Sequence, residues 1–260
     1  MRIAVVQTNP VFGAVRENTD RALELLSQNP ADVYVLPELF NTGYNFVDAR
    51  EVAQYAETSG GPTYSAIAEF AARSRRYVAY GFAERGDRFY NSSLLVGPSG
   101  VIGHYRKVHL FSRENILFSP GDLGFPVCDI PFGRVGMMIC FDWFYPEAAR
   151  SLAVQGAEII LHPSNLVLPH CPDAMVTRCL ENRVFAATAN RVGTEDRGGI
   201  TLAYIGSSEI VSPGGEILCR MDDRSEGVAC ADIDPEGGRN KRLNEFNDLL
   251  AGRRPDQYVT

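Results

Sequence analysis

Residues 133–147 read Gly133-Arg134-Val135-Gly136-Met137-Met138-Ile139-Cys140-Phe141-Asp142-Trp143-Phe144-Tyr145-Pro146-Glu147. An apolar run ends on a cysteine, polar and aromatic residues follow, and a proline and a glutamate open what reads as a helix. This is a strand, a sharp bend and a helix, with Cys140 at the bend. Such an elbow lifts a nucleophile out of a sheet and sets it beside the backbone N–H groups of the turn. A helix after it is expected to lower the thiol pKa through the positive end of its dipole. The other five cysteines, at 128, 171, 179, 219 and 230, lack this context and read as structural.

Outward from the elbow, the pattern is that of an α/β chain. Residues 2–7 form a β-branched, apolar strand and 15–28 an amphipathic helix stopped by Asn29-Pro30. Residues 32–36 form a second strand closed by Pro37-Glu38. Strand, helix, strand implies a parallel βαβ unit. Glu38 then lies at a strand's carboxyl end, where open α/β sheets place their ligands. A polar and aromatic loop follows over 41–46, then a helix over 62–75. Strands are expected over 77–82, 88–96 and 101–106, with Lys107 just beyond them. Residues 108–131 are irregular, and long irregular segments inside a domain tend to carry function. After the elbow, 147–155 reads as a helix, 157–161 as a strand, 173–183 as a helix and 184–190 as a strand. Residues 200–211 and 216–220 read as a hairpin, and 227–233 as the last strand. Leu243, Phe246, Leu249 and Leu250 recur at helical spacing near the end.

The chain echoes itself. Residues 2–38 and 134–165 each run strand, helix, strand, and end in Pro37-Glu38 and His162-Pro163. The segment from Asn91-Ser92-Ser93 to Gly97-Pro98-Ser99-Gly100 resembles that from Gly206-Ser207-Ser208 to Ser212-Pro213-Gly214-Gly215. Two similar halves imply two mixed sheets packed face to face with helices outside, a four-layer α-β-β-α sandwich. The whole chain, 1–260, reads as one domain, with 240–260 an extension expected to pack on a partner subunit.

Composition narrows the function classes. At 260 residues the chain can bury a large core, and 45% hydrophobic with 22% charged residues is ordinary for a globular protein. A net charge of -7 and a pI near 5.2 leave no basic surplus for phosphates, so neither nucleic acid nor an anionic membrane is expected as a partner. No cysteine pair has C-x-x-C spacing, no signal-peptide pattern opens the chain, and no apolar run is long enough for a membrane span. A cytoplasmic protein with reduced thiols is the expectation. His162, His170 and Cys171 do not have the spacing of a metal site, so no metal is expected.

A nucleophilic thiol needs a base. The four histidines, at 104, 109, 162 and 170, stand in no cysteine-protease signature. The alternative is a carboxylate raised in pKa by burial, and Glu38 is the leading candidate. Lys107, in Tyr105-Arg106-Lys107-Val108-His109-Leu110, could orient Glu38 and donate to the oxyanion of a tetrahedral intermediate.

Leu36-Pro37-Glu38-Leu39, Tyr105-Arg106-Lys107-Val108-His109-Leu110 and Ile139-Cys140-Phe141-Asp142-Trp143-Phe144-Tyr145-Pro146-Glu147 together resemble the three signatures of the nitrilase superfamily of carbon–nitrogen hydrolases, in order and spacing, over essentially the whole chain. The resemblance implies the α-β-β-α sandwich and a triad of Glu38 as general base, Lys107 as cationic stabiliser and Cys140 as nucleophile. Glu114, before Phe118-Ser119-Pro120-Gly121, matches the family's second glutamate near the site. No metal or organic cofactor is implied. Homodimers or larger homo-oligomers are, with the helix after Cys140 and that over 173–183 as candidate contacts.

Asp142, two residues after the cysteine, is similar to the amidase and N-carbamoyl-amine hydrolase branches, whereas classical nitrilases usually carry glutamate there. The expected substrate is therefore a small linear or aliphatic amide or N-carbamoyl amine, with a small nitrile as the alternative. A catalytically inactive binding protein is the different-class alternative. Phe40, Tyr44, Phe141, Trp143 and Asn165 are the candidate pocket residues. Arg113 or Arg178 could receive a substrate carboxylate.

Overall fold

The computed structural model describes residues 1–259. In its first half the chain forms β1 (Arg2–Gln7), α1 (Val15–Gln28), β2 (Val33–Val35), α2 (Ala49–Tyr55), α3 (Pro62–Ser74), β3 (Tyr77–Arg85), β4 (Phe89–Gly97), β5 (Gly100–Arg106) and the single turn α4 (Glu114–Leu117). Then come β6 (Val127–Ile130), β7 (Gly133–Met137), a 3-10 turn (Cys140–Phe144), α5 (Pro146–Val154), β8 (Ile159–Pro163), α6 (Cys171–Asn182) and β9 (Phe185–Ala189). The last part holds β10 (Thr194–Arg197), β11 (Ile200–Ala203), β12 (Glu209–Val211), β13 (Ile217–Arg220), β14 (Gly227–Asp232) and the short α7 (Glu236–Arg239).

The strands make two six-stranded mixed sheets, in the orders β14-β1-β2-β3-β4-β5 and β13-β12-β9-β8-β7-β6, and the separate ribbon β10-β11. In the first sheet β1, β2 and β3 are parallel, with antiparallel β4 and β5 on one side and β14 on the other. In the second, β7, β8 and β9 are parallel, with antiparallel β12 and β13 on one side and β6 on the other. Apart from the edge strands β14 and β6, the two sheets share one connectivity, as the sequence echo implies.

Side-chain alternation builds the layers. On β1, Ile3 and Val5 belong to the central core shared with Val135, Met137, Ile159 and Ala187 of the second sheet. Ala4 and Val6 point the other way, to Ala22, Leu25 and Leu26 of α1 and to Ile67, Phe70 and Ala71 of α3. On the other side of the molecule, Ala148, Ala149 and Leu152 of α5 and Met175 and Cys179 of α6 cover the second sheet. Each fully buried Val, Leu, Ile, Phe or Met among them contributes roughly 1.5–3 kcal/mol. The order of layers is helix, sheet, sheet, helix.

Four expectations are corrected. Residues 200–211 are not one strand: the chain breaks over Tyr204–Ser208, where Gly206 and Ser207 both have φ 57°. β11 pairs back on β10, while β12 joins the second sheet. The 41–62 stretch contains α2, capped by Asp48, whose carboxylate accepts from the N–H groups of Arg50 and Glu51. The irregular 108–131 stretch contains β6, an edge strand only four residues long. The helical spacing near the end forms no long helix. That segment closes on the isolated pair Arg242–Asp248 and leaves Phe246 84% exposed. Among the described residues no helix is long and apolar enough to cross a membrane.

One close approach couples this scaffold to Glu38. A Cβ on Gly81 of β3 would lie 2.5 Å from Glu38 Cα and 2.9 Å from Leu39 N. Backbone cannot yield as a side chain can, so Gly81→Ala is expected to destabilise the fold by about 1–3 kcal/mol. Chemical denaturation measures it, and an unchanged midpoint would contradict this packing.

Candidate active site

Glu38 follows β2 on a short extension held to β3, where Leu36 N donates to Ala79 O (2.8 Å) and Gly81 N to Pro37 O (3.1 Å). The next residue, Leu39, turns the chain at φ 48°. Glu38 is fully buried. Its Oε1 accepts from Asn91 Nδ2 (2.7 Å) and from Lys107 Nζ (2.6 Å), while Oε2 has no partner among the described residues. Burial raises its pKa to about 7; Lys107 opposes this and Glu114 adds to it.

Lys107, on the first residue past β5, is also fully buried. Its ammonium reaches a second carboxylate, Glu114 Oε1, at 2.8 Å. Burial alone would lower the lysine pKa, but Glu114 and Glu38 beside it raise it, and it stays charged. Glu114 opens α4. Its Oε1 also accepts from Tyr44 Oη, and its Oε2 accepts from Phe111 N at 3.3 Å.

Cys140 sits at φ 41°, a left-handed conformation disfavoured for a residue with a Cβ and common at functional turns. Its thiol is 3.7 Å from Asn165 O. Burial, and then Glu38, push its pKa well above the usual thiol range, with Lys107 opposing. This corrects the expectation of a thiol acidified by the following helix. The turn after Cys140 is a short 3-10 segment, and α5 begins only at Pro146. Desolvation beside carboxylates therefore wins, and the resting group is a neutral thiol.

Two buried side chains hold the elbow. Asp142 Oδ2 accepts from Ile139 N (2.8 Å) and Tyr105 Oη (2.7 Å), and its Oδ1 accepts from the backbone N–H (3.2 Å) and Nδ1 (2.8 Å) of His109. Asp142 thus ties the cysteine turn to the segment that carries Lys107. His162 donates through Nε2 to Cys140 O (2.9 Å), while its Nδ1 faces Thr188 Oγ1 (3.0 Å). Burial lowers its pKa to about 4, so it is neutral and both ring nitrogens are engaged. The four-donor bracket of Asp142 and the His162 contact are invisible in the linear sequence. Asn91, which orients Glu38, is equally so.

The other candidates separate. Asn165 Nδ2 donates to Glu38 O (2.7 Å), joining the Glu38 and Cys140 turns. A recess of about 230 Å³ beside Cys140 is lined by Phe111, Phe141, Trp143, Asn165 and residues 166–168. A second, of about 370 Å³, runs past Tyr44, Phe111, Arg113 and Glu114 to Phe46, Leu117 and Phe118. Phe111 borders both. Phe40 is in neither: it packs edge-on against Tyr80 in the core beneath α1 and α3, a correction to its reading as pocket wall. Arg178 donates to Trp143 O and pairs with Glu181, so its guanidinium is already engaged.

A buried carboxylate, ammonium and thiol that meet where two like sheets abut describe a cysteine hydrolase. The model of the family "Carbon-nitrogen hydrolase" matches residues 2–242, and the chain belongs to that family, on the amidase-like side of the nitrilase superfamily. It is 47% identical to a nitrilase of Pyrococcus abyssi, over 99% of each chain. It is 37% identical to an (R)-stereoselective amidase of a Pseudomonas species, over 98% of this chain and 92% of that one. A variant of the amidase from Nesterenkonia sp. AN1, with an acetamide moiety covalently added at its active-site cysteine, superposes with a TM-score of 0.83 at 25% identity, covering 98% of this chain and 94% of that one.

Asp142→Asn would set an NH2 group against two of the four donors, since each carboxylate oxygen accepts two, and leave buried N–H or O–H groups unpaired. The expected cost is about 1–3 kcal/mol of stability, with a changed rate of Cys140 alkylation by iodoacetamide. Calorimetry and mass spectrometry read the two, and a variant unchanged in both would rule out the bracket.

Proposed function

We propose that this hydrolase cleaves the C–N bond of a small linear or aliphatic amide, or of an N-carbamoyl amine, and releases ammonia through a Cys140 acyl intermediate. The observation that carries the reading is the convergence of Glu38, Lys107 and Glu114 in one dry cluster beside a thiol on a strained turn. Glu38 Oε1 is held by Lys107 and Asn91, so Oε2 is the atom left to take the thiol proton. The thiolate forms as it attacks the carbonyl carbon, since a free thiolate is disfavoured here. The oxyanion is received by the Lys107 ammonium and the first N–H of the turn, at Phe141. Glu38 returns the proton to the departing amine, ammonia leaves, and a thioester remains. Water, deprotonated by Glu38, then releases the acid. With an N-carbamoyl amine the intermediate is a thiocarbamate, and the carbamic acid released loses carbon dioxide.

The small aromatic recesses support a compact substrate with an apolar stem. A nitrile is the second reading, favoured by the name of the 47% identical relative. Attack on a nitrile gives a thioimidate at the same sulfur.

A panel of aliphatic amides, N-carbamoyl amines and nitriles, read by ammonia release, tests the reading. Amides or carbamoyl amines are expected to be turned over, with loss of at least 10³-fold in Cys140→Ala, on the order of a lost nucleophile. Turnover retained in that variant, or confined to nitriles, would overturn it.

The pH profile gives an independent test. Protonated Glu38 cannot accept the thiol proton, so kcat/KM is expected to fall about tenfold per pH unit below a midpoint near 7. An acidic limb centred near 4.5, the ordinary glutamate value, would contradict a Glu38 carboxyl raised by burial.

A further inference from the structure

The shared connectivity of the two sheets exposes one element without a counterpart. In the first half, β3 passes to β4 through a tight turn between Arg85 and Phe89. At the matching place in the second half, between β9 and β12, residues 190–208 intervene and fold into the β10–β11 hairpin. This insertion contributes to neither six-stranded sheet.

The hairpin has an inner and an outer face. Along β11, Ile200 and Leu202 are half-buried while Thr201 and Ala203 are exposed. Their cross-strand partners are Arg197 and Glu195, so all four share the inner face. That face is fastened to the loop after Glu38. Glu195 accepts from Tyr44 N (3.2 Å) and Asn45 N (2.7 Å), and from Tyr204 Oη (3.0 Å), and pairs with the buried Arg191. Asn45 Nδ2 donates back to Ile200 O at 2.8 Å. Arg197 pairs with Glu51 of α2 and lies over the Phe12 ring, 3.4 Å from its centroid. At the tip, Gly198 and Gly199 both take positive φ, and Arg113 Nη2 donates to Gly198 O at 3.3 Å.

So fastened, the hairpin presents Ile200 and Leu202 to the larger recess, whose lining they share with Phe111 and Glu114. We infer that the β10–β11 hairpin is the specificity element of this enzyme: Ile200 and Leu202 meet the apolar chain of the substrate beyond the reacting carbonyl and limit its length. The inference rests on the amide reading above. The reacting group occupies the space beside Cys140, and the chain passes Phe111 into the larger recess, where an aliphatic stem finds the apolar side chains of Phe46, Leu117, Phe118, Ile200 and Leu202.

The test uses alkylation as well as turnover. Cys140 labelling by 2-bromoalkanamides of increasing chain length, followed by mass spectrometry, forms the S–C bond with loss of bromide and needs no hydrolysis. Kinetics on the matching linear amides run in parallel. Leu202→Ala opens the recess and is expected to raise the ratio of long-chain to short-chain rate constants at least tenfold. Ile200→Phe fills it and is expected to lower that ratio by a similar factor. Opposite shifts in labelling support the inference even if no amide is hydrolysed, a result that would sink the amide reading alone. Ratios unmoved in both variants, with amides turned over, would overturn the role of the hairpin and leave the amide reading standing.

Discussion

A lysine ammonium with no exposed surface is the constraint on which the site depends. Removing an ion from water costs several kcal/mol unless partners replace the lost hydration. For Lys107 the partners are two carboxylates, Glu38 and Glu114. An ammonium has three donors, and these oxygens take two. In the proposed reaction the third meets the substrate oxyanion. Burial also sets the state of the neighbours. Glu38 is lifted to about 7, and the Cys140 thiol is pushed far above its ordinary range. The chain thus keeps the Cys140 thiol protonated at rest beside a carboxyl group poised near neutrality.

The doubled sheet explains how groups from distant parts of the chain reach one point. Glu38 follows β2, and Asn165 follows β8, the matching strand of the second half. The two meet directly through Asn165 Nδ2 and Glu38 O. Cys140 follows β7, beside β8, and its thiol faces the carbonyl of the same Asn165. The pseudo-equivalent loops therefore brace each other across the sandwich, at the carboxyl ends of parallel strands, where such sheets hold ligands. Asp142 adds a second brace, from the elbow to the end of β5, so Lys107 and Cys140 cannot move independently.

Much of this was legible in the sequence because burial writes it in the residue pattern. Parallel strands enclosed on both faces must be apolar where they are covered, and Ile3–Val6 of β1 and the run Val135–Ile139 read that way. Glu38 stood out as a charge at the end of an apolar strand, and Lys107 by its place just after a hairpin. Asn91, Tyr105, His109 and His162 did not, since each is a single polar letter whose partner lies 3 to 53 residues away and whose role exists only in the fold. Asp142 was noticed for its place after the cysteine, but its bonds make it first a bracket of the turn. Phe40 reads in the sequence as one of the aromatic pocket residues, and the structure puts it in the core. A one-residue change of direction at Leu39 sends the next side chain to the opposite face. The hairpin 194–203 was missed for a similar reason: β11 continues in apolar character toward β12, and only the positive φ at Gly206 and Ser207 separates them.

The second carboxylate has a physical reason within the proposed cycle. When Glu38 takes the thiol proton it loses its charge, and a lysine paired with Glu38 alone would be left as an isolated buried cation. Glu114, 2.8 Å from Nζ, prevents this by giving the ammonium a second carboxylate. Meanwhile the negative charge that leaves Glu38 reappears on the substrate oxygen, within reach of the same ammonium. The net charge of the enclosed cluster is therefore the same in the resting state and in the tetrahedral intermediate. In a medium that solvates charge poorly, a step that only relocates a charge around a fixed cation avoids the penalty of creating one. Tyr44, donating to Glu114 and held at its backbone by Glu195, keeps that fixed anion in place. The electrostatics of the reaction thus run outward from Lys107, through Glu114 and Tyr44, to the same hairpin that walls the substrate recess.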